Sequence, residues 1–96
     1  MTYDIFAQDQ RLLILRSLDD AGYEANTNIL QDCLDKYGHR VSQEQVRSHL
    51  VWLQEHGLVK VKEVGTYFVA ALTDKGLDVA NGRTEVYGVK RPRPIH

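Results

Sequence analysis

The segment 41–80, VSQEQVRSHLVWLQEHGLVKVKEVGTYFVAALTDKGLDVA, changes its hydrophobic period twice, which limits the chain to few architectures. Ser42-Gln43-Glu44-Gln45 has the form of a capping box: the serine hydroxyl accepts from the backbone N–H of Gln45, and that glutamine reaches back to residue 42. Val46, His49, Leu50 and Leu53 follow at helical spacing as an inward stripe, and Gly57 supplies a left-handed stop. From Leu58 the period drops to two. Leu58, Val59, Val61 and Val64 alternate with Lys60, Lys62 and Glu63 in the manner of a half-buried strand, Gly65-Thr66 turns the chain, and residues 67–72 return. Thr73 caps a further helix with Leu77, Val79 and Ala80 as its apolar residues, and Asn81-Gly82 stops it.

Two helices precede this unit. Between residues 3 and 20, opening at Tyr3, the residues Ile5, Leu12, Leu15 and Leu18 share one face and Leu13 and Ile14 widen it, with Asp4 as N-cap and Gly22 as the stop. An apolar arc of more than half the circumference points to a partner surface on this helix. Asn26-Thr27-Asn28 offers three candidate caps for a second helix, whose stripe is Ile29, Leu30, Cys33, Leu34 and Tyr37 and which Gly38 ends. The connection 38–41 is short enough to hold two helices at a helix-turn-helix angle. After Gly82 the periodicity dissolves. RTEVYGVKRPRPIH carries two prolines and four basic residues, and is expected to form a mobile or loosely docked arm from about Val86. The chain therefore reads as one domain over 1–85 followed by a basic, proline-containing tail over 86–96.

The order α-α-α-β-β-α is an α+β fold, the winged helix-turn-helix, with three helices, a two-stranded hairpin wing and a C-terminal helix. Leu50, Leu53, Gly57, Leu58 and Val59, followed by a hairpin and by Leu72-Thr73 with Lys75-Gly76, resemble the corresponding stretches of arsenic-repressor and multiple-antibiotic-resistance-repressor regulators. A second resemblance covers nearly the whole chain. RLLILR at 11–16, LQDxLxxxGHRVSxxQVRxxLxWL at 30–53, GLV at 57–59 and GVKRPxP at 88–94 are similar to blocks of small proteins encoded in Mu-like prophages. That resemblance implies a phage-encoded winged-helix protein acting as a regulator in the cytoplasm of a bacterial host.

Net charge is −1, low for a strong phosphate binder. Its distribution is uneven: residues 1–41 hold seven acids against four Lys/Arg, and residues 42–96 hold six against eight. Contact with double-stranded DNA through the second half is allowed, with modest and salt-sensitive electrostatics. In a winged helix the first turns of the third helix meet base edges in the major groove. Gln43, Gln45, Arg47 and Ser48 are suited to that place, since glutamine pairs with adenine, arginine with guanine, and serine with a base or a phosphate. Arg47 is the strongest of these candidates and Gln43 the next. Arg40, Lys60 and Lys62 are candidates for phosphate contact, although the wing tip carries an acid, Glu63, where a minor-groove wing would carry a cation. Lys90, Arg91 and Arg93 form the densest positive segment, extended by Pro92 and Pro94, and suit phosphates or a narrow minor groove.

Other chemistries find little footing. Cys33 stands alone, which excludes an internal disulfide, fits a reducing cytoplasm, and is expected as a small core residue. His49 and His56 lie seven residues apart, about 10 Å along a helix axis, too far to chelate one ion. His39 sits in a turn and His96 ends the chain, so no metal site is expected. There is no glycine-rich phosphate loop, GxSxG, HExxH or CxxC, and the chain is read as non-catalytic, without cofactor or small-molecule effector. No apolar run approaches the roughly 18 residues of a membrane span, and the start lacks a secretory pattern. Trp52, on the flank of the third helix, is expected to pack in the core against the hairpin, with a dimer interface as the alternative, and a homodimer is the expected assembly. The alternative to DNA binding is a winged-helix module for protein–protein contact, which a near-neutral charge also fits.

Overall fold

Each helix starts where a side chain satisfies one of its orphan backbone donors. The computed structural model describes residues 4–93, so Tyr3, Pro94 and His96 lie outside the described residues. Helix α1 (Ile5–Asp20) is capped by Asp4, which accepts from Ala7 N–H. Strand β1 (Glu24–Asn26) follows, and Asn26 also caps α2 (Thr27–Lys36) by accepting from Ile29 N–H. Ser42 caps α3 (Gln43–Glu55) with both halves of the capping box made. After β2 (Val59–Val64) and β3 (Tyr67–Leu72), Thr73 caps α4 (Asp74–Ala80) through Gly76 N–H.

The wing is a two-residue hairpin in which Val64 faces Tyr67 and Gly65 takes φ +62°, the conformation that lets a tight turn match strand twist. It belongs to a three-stranded antiparallel sheet of order β1-β3-β2. Strand β1 was not foreseen, because three residues carry no period. Pairing places it: Glu24 faces Ala71 and Asn26 faces Val69, so the connection from α1 to α2 covers the outer edge of β3. Tyr23 makes the entry with φ +81°, donating to the Leu18 carbonyl at 2.7 Å while its own carbonyl accepts from Leu72 N–H at 2.7 Å.

The core joins Leu12, Ile14, Leu15 and Leu18 of α1 to Leu30 and Leu34 of α2, Val46, Leu50 and Leu53 of α3, Leu58, Val59, Ala70, Val79 and Ala80. Helix α1 packs against α2, α4 and the sheet, so its wide apolar arc is an interior surface rather than the exposed partner face expected from the sequence. The expected stripes need correction at their margins. Ile5 is 58% exposed because it precedes the part of α1 that its neighbours cover. On α2 the buried residues are Thr27, Leu30 and Leu34, which turns Ile29 to solvent, leaves Cys33 half-buried instead of in the core, and leaves Tyr37 exposed as the C-cap.

The arm expected from Val86 is docked. Val89 is buried, Lys90 N–H donates to the Gln8 carbonyl at 3.1 Å, and Lys90 Nζ lies 3.4 Å from Asp9 Oδ1. Trp52 packs against the margin of the core, as expected, and also receives this segment. The Arg11 guanidinium sits 4.2 Å over the indole, His56 stacks on it at 3.7 Å, and Arg11 Nη1 donates to the Gly88 carbonyl at 2.8 Å. Periodicity could not reveal this, since the segment is held by a few scattered contacts: the Arg11 guanidinium, the indole, the Lys90–Asp9 pair, one buried valine and backbone groups. Burial lowers the pKa of Arg11, partly countered by Asp4, yet a guanidinium stays charged.

A second polar chain holds the inner side of α3. His49 Nε2–H donates to Gln10 Oε1 at 2.8 Å, Gln10 Nε2 donates to His39 Nδ1 at 3.2 Å, and His39 Nε2–H donates to Asp9 Oδ2 at 2.7 Å. Burial, and then the charge of Arg11, pushes His49 down to about 4 against an attraction from Asp4, so it is neutral at pH 7.

Two outcomes follow from these contacts. A Cβ at residue 88 would stand 2.5 Å from Trp52 Cζ2 on a backbone with φ +103°. Gly88→Ala should therefore release the tail, lowering the melting temperature by on the order of 5 °C and red-shifting the fluorescence of Trp52. For His49 the unfolded chain takes up its proton first as pH falls, so stability declines from about pH 6.5 to about pH 4. Thermal melts of His49→Gln should show a shallower loss than the wild type across that window, and parallel curves would contradict the assignment.

Candidate nucleic-acid interface

Helix α2, the turn 37–42 and α3 form the helix-turn-helix, and the hairpin β2–β3 stands beside α3. The first turns of α3 expose Glu44, Gln45 and Ser48 and leave Gln43 and Arg47 half-buried. Arg47 reaches the wing: its Nη2 donates to the Thr66 carbonyl at 2.5 Å and its guanidinium lies 5.8 Å from the Phe68 ring centroid. One of its five N–H donors thus fixes the hairpin tip to the helix, and the others stay available. Gln45 spends its carbonyl oxygen on Ser42 N–H at 2.9 Å, so the capping box limits what it can offer a base.

Gln43, the first residue of α3, bonds back to α2. Its Nε2 donates to Gln31 Oε1 at 2.5 Å and to Asn28 Oδ1 at 2.6 Å. Sequence reasoning named Gln43 and missed Asn28 and Gln31. The available signal was their i, i+3 spacing on α2 together with a turn short enough to bring that face to the start of α3.

Lys60 and Lys62 are exposed on one side of β2, and Arg40 is exposed in the turn. The tail cations keep other company. Lys90 pairs with Asp9 on α1, Arg91 lies 3.9 Å from Glu85, and Arg93 lines a crevice with Ile5, Phe6, His39 and Lys90. The structure thus brings Arg47 to the wing and gathers Gln43 with two unforeseen amides. It leaves Ser48, Lys60, Lys62 and Arg40 exposed around them, and it docks the tail on α1 and Trp52. Among the described residues no group of three or more His, Cys, Asp or Glu is arranged to hold a metal ion, and no helix is long and apolar enough to cross a membrane.

No protein-family model matches the chain. Protein gp26 of Escherichia phage Mu, whose function is uncharacterised, is 55% identical over 94 residues, covering 98% of both chains. An uncharacterised Haemophilus influenzae protein is 47% identical over 75 residues, 77% of this chain and 74% of that one. Among solved structures, Bordetella bronchiseptica BpsR, whose DNA binding is regulated by 6-hydroxynicotinic acid, matches 75% of the chain with a TM-score of 0.62 at 18% identity. The chain spans 48% of the length of BpsR. A structure of the DNA recognition and protein interaction domains of HOP2 gives 0.57 at 22% identity over 67% of this chain and 98% of that one. hsRosR-S1 gives 0.62 at 23% identity over 82% of this chain and 67% of that one. The fold is the winged helix-turn-helix, and the chain belongs to the family of phage Mu gp26.

Proposed function

We propose that this protein is a phage-encoded, non-catalytic DNA-binding regulator that presents α3 to the major groove of double-stranded DNA. The observation that carries the reading is the start of α3, where amide, guanidinium and hydroxyl groups stand at the surface beside a hairpin that Arg47 holds in place. Gln43, Arg47 and Ser48 read bases, and Arg40, Lys60 and Lys62 position the duplex on its phosphates. The fold shared with BpsR supports the same reading. The protein acts in the host cytoplasm as a homodimer, with its two α3 helices about one DNA turn, roughly 34 Å, apart on a pseudo-palindromic site. The tail cations Lys90, Arg91 and Arg93 act first as a docked strap and only secondarily as phosphate contacts.

A specific observation favours one other reading. Glu44 in the first turn of α3 and Glu63 near the wing tip are both exposed, and a surface of mixed charge suits a protein partner. Fluorescence anisotropy of labelled fragments from the gene's own upstream region, titrated at two salt concentrations, separates the two. A DNA-binding regulator should bind its site in preference to random duplex and weaken as salt rises. Absence of binding at low salt would hand the surface to a protein partner.

With three positioning cations per chain, the log–log salt slope should be about −3 per bound chain, and Lys60→Ala or Lys62→Ala should each make it shallower by about 1. Arg47→Ala should weaken the specific site by at least about 1 kcal/mol. An affinity unchanged in that variant would remove Arg47 from the reading set.

A further inference from the structure

The amides joining α2 to α3 form a chain with a fixed direction. Gln31 Nε2 donates to the Val41 carbonyl at 2.8 Å. A backbone carbonyl only accepts, so the amide of Gln31 has one permitted orientation and must turn its Oε1 toward Gln43. That oxygen takes one hydrogen of Gln43 Nε2, and Asn28 Oδ1 takes the other. Both donors of Gln43 are therefore spent inside the protein. What remains is Gln43 Oε1, which can only accept, and Asn28 Nδ2, which can only donate; neither has a partner among the described residues.

A free glutamine is ambiguous as a reader. Turning its amide by half a revolution lets it face the amino groups of adenine and cytosine or the keto oxygens of guanine and thymine. We propose that the Val41–Gln31–Gln43–Asn28 chain removes this ambiguity and makes adenine the base selected at the start of α3. Gln43 Oε1 accepts from adenine N6 and Asn28 Nδ2 donates to adenine N7, so two residues share the bidentate contact that one glutamine would otherwise make. Guanine sets its O6 against Gln43 Oε1, and thymine sets its O4 there, leaving two acceptors facing each other without a proton. Cytosine satisfies Gln43 through N4 but offers Asn28 no N7, and ranks second. Gln31 touches no base; it is a positioning residue, and it sets specificity through Gln43. The inference rests on the DNA-binding reading of this same face.

The test is selection of sites from a randomised duplex pool by the full chain, carried out with the wild type, Gln43→Ala and Gln31→Met. The wild type should enrich sites with one position per half-site where adenine is favoured over guanine by about tenfold or more. Gln43→Ala should lose the preference at that position alone. Gln31→Met frees the Gln43 amide to turn, and should admit guanine or thymine there, a change that a purely structural latch between helices would not produce. Replacing the selected adenine by purine, which lacks N6, should cost the wild type about tenfold and leave Gln43→Ala unaffected. Thermal melts show whether the variants fold. Should Gln31→Met fail to fold, Gln43→Ala and the purine substitution still decide the matter. A keto base at that position in the wild type, or a preference unchanged in folded Gln43→Ala or Gln31→Met, overturns the inference while leaving DNA binding intact. A wild type that binds no duplex even at low salt overturns both.

Discussion

Leu12, Ile14, Leu15 and Leu18 spread over about 160° of α1 at 100° per residue, and no single neighbour can cover such an arc. The fold is the solution to that requirement. Helix α2 closes one side, α4 another, and β3 with β1 lies against the remainder. Because α2 is placed by this packing, and α3 follows α2 after a short turn, the position of α3 relative to the sheet is fixed from behind. The hairpin can then stand beside α3 without contributing most of the core itself. Arg47 and Gln43 add to this support from the outer side, the one tying the hairpin tip to α3 and the other tying the start of α3 to α2.

Where local chemistry alone decides, the sequence was sufficient. Asp4, Asn26, Ser42 and Thr73 cap the helices as their side chains allow, and Gly65 turns the hairpin. Periodicity located α3 and both wing strands because each is long enough to show its period. It could not locate β1, whose three residues become a strand only when β3 offers its edge. The margins of the apolar stripes failed for a related reason. Ile29 and Leu30 are adjacent and equally apolar, and only the placement of α1 and α3 decides which of them is buried.

The tail and the candidate site were legible in residue type and illegible in arrangement. A segment with two prolines and several cations has the composition of a free arm. Its docking depends on a glycine thin enough to lie against an indole and on one arginine that reaches the glycine's carbonyl from α1, 77 residues away in sequence. Similarly, Gln43 and Arg47 were identifiable as groups able to read bases. That Arg47 braces the wing, and that Gln43 has spent both its donors on α2, follows from contacts across a turn and a hairpin that no spacing rule encodes.

These internal contacts bear on how a chain of net charge −1 would hold DNA. Strongly basic proteins gain affinity from counterion release and can leave their reading side chains loose until contact. A near-neutral chain has less of that reserve, so the entropy lost in ordering side chains at the interface weighs more heavily against it. In the proposed function, Gln43 and Arg47 are already ordered in the free protein by neutral acceptors: two side-chain amide oxygens and one backbone carbonyl. Neutral partners fix orientation without cancelling the charge of the guanidinium, whereas a carboxylate in the same place would hold it as firmly and repel phosphate. The chain does use carboxylates to hold cations, on the tail, where Asp9 and Glu85 face Lys90 and Arg91. Arg47 is held without such a partner, so its charge is left uncompensated at the surface that the proposed function turns to phosphate.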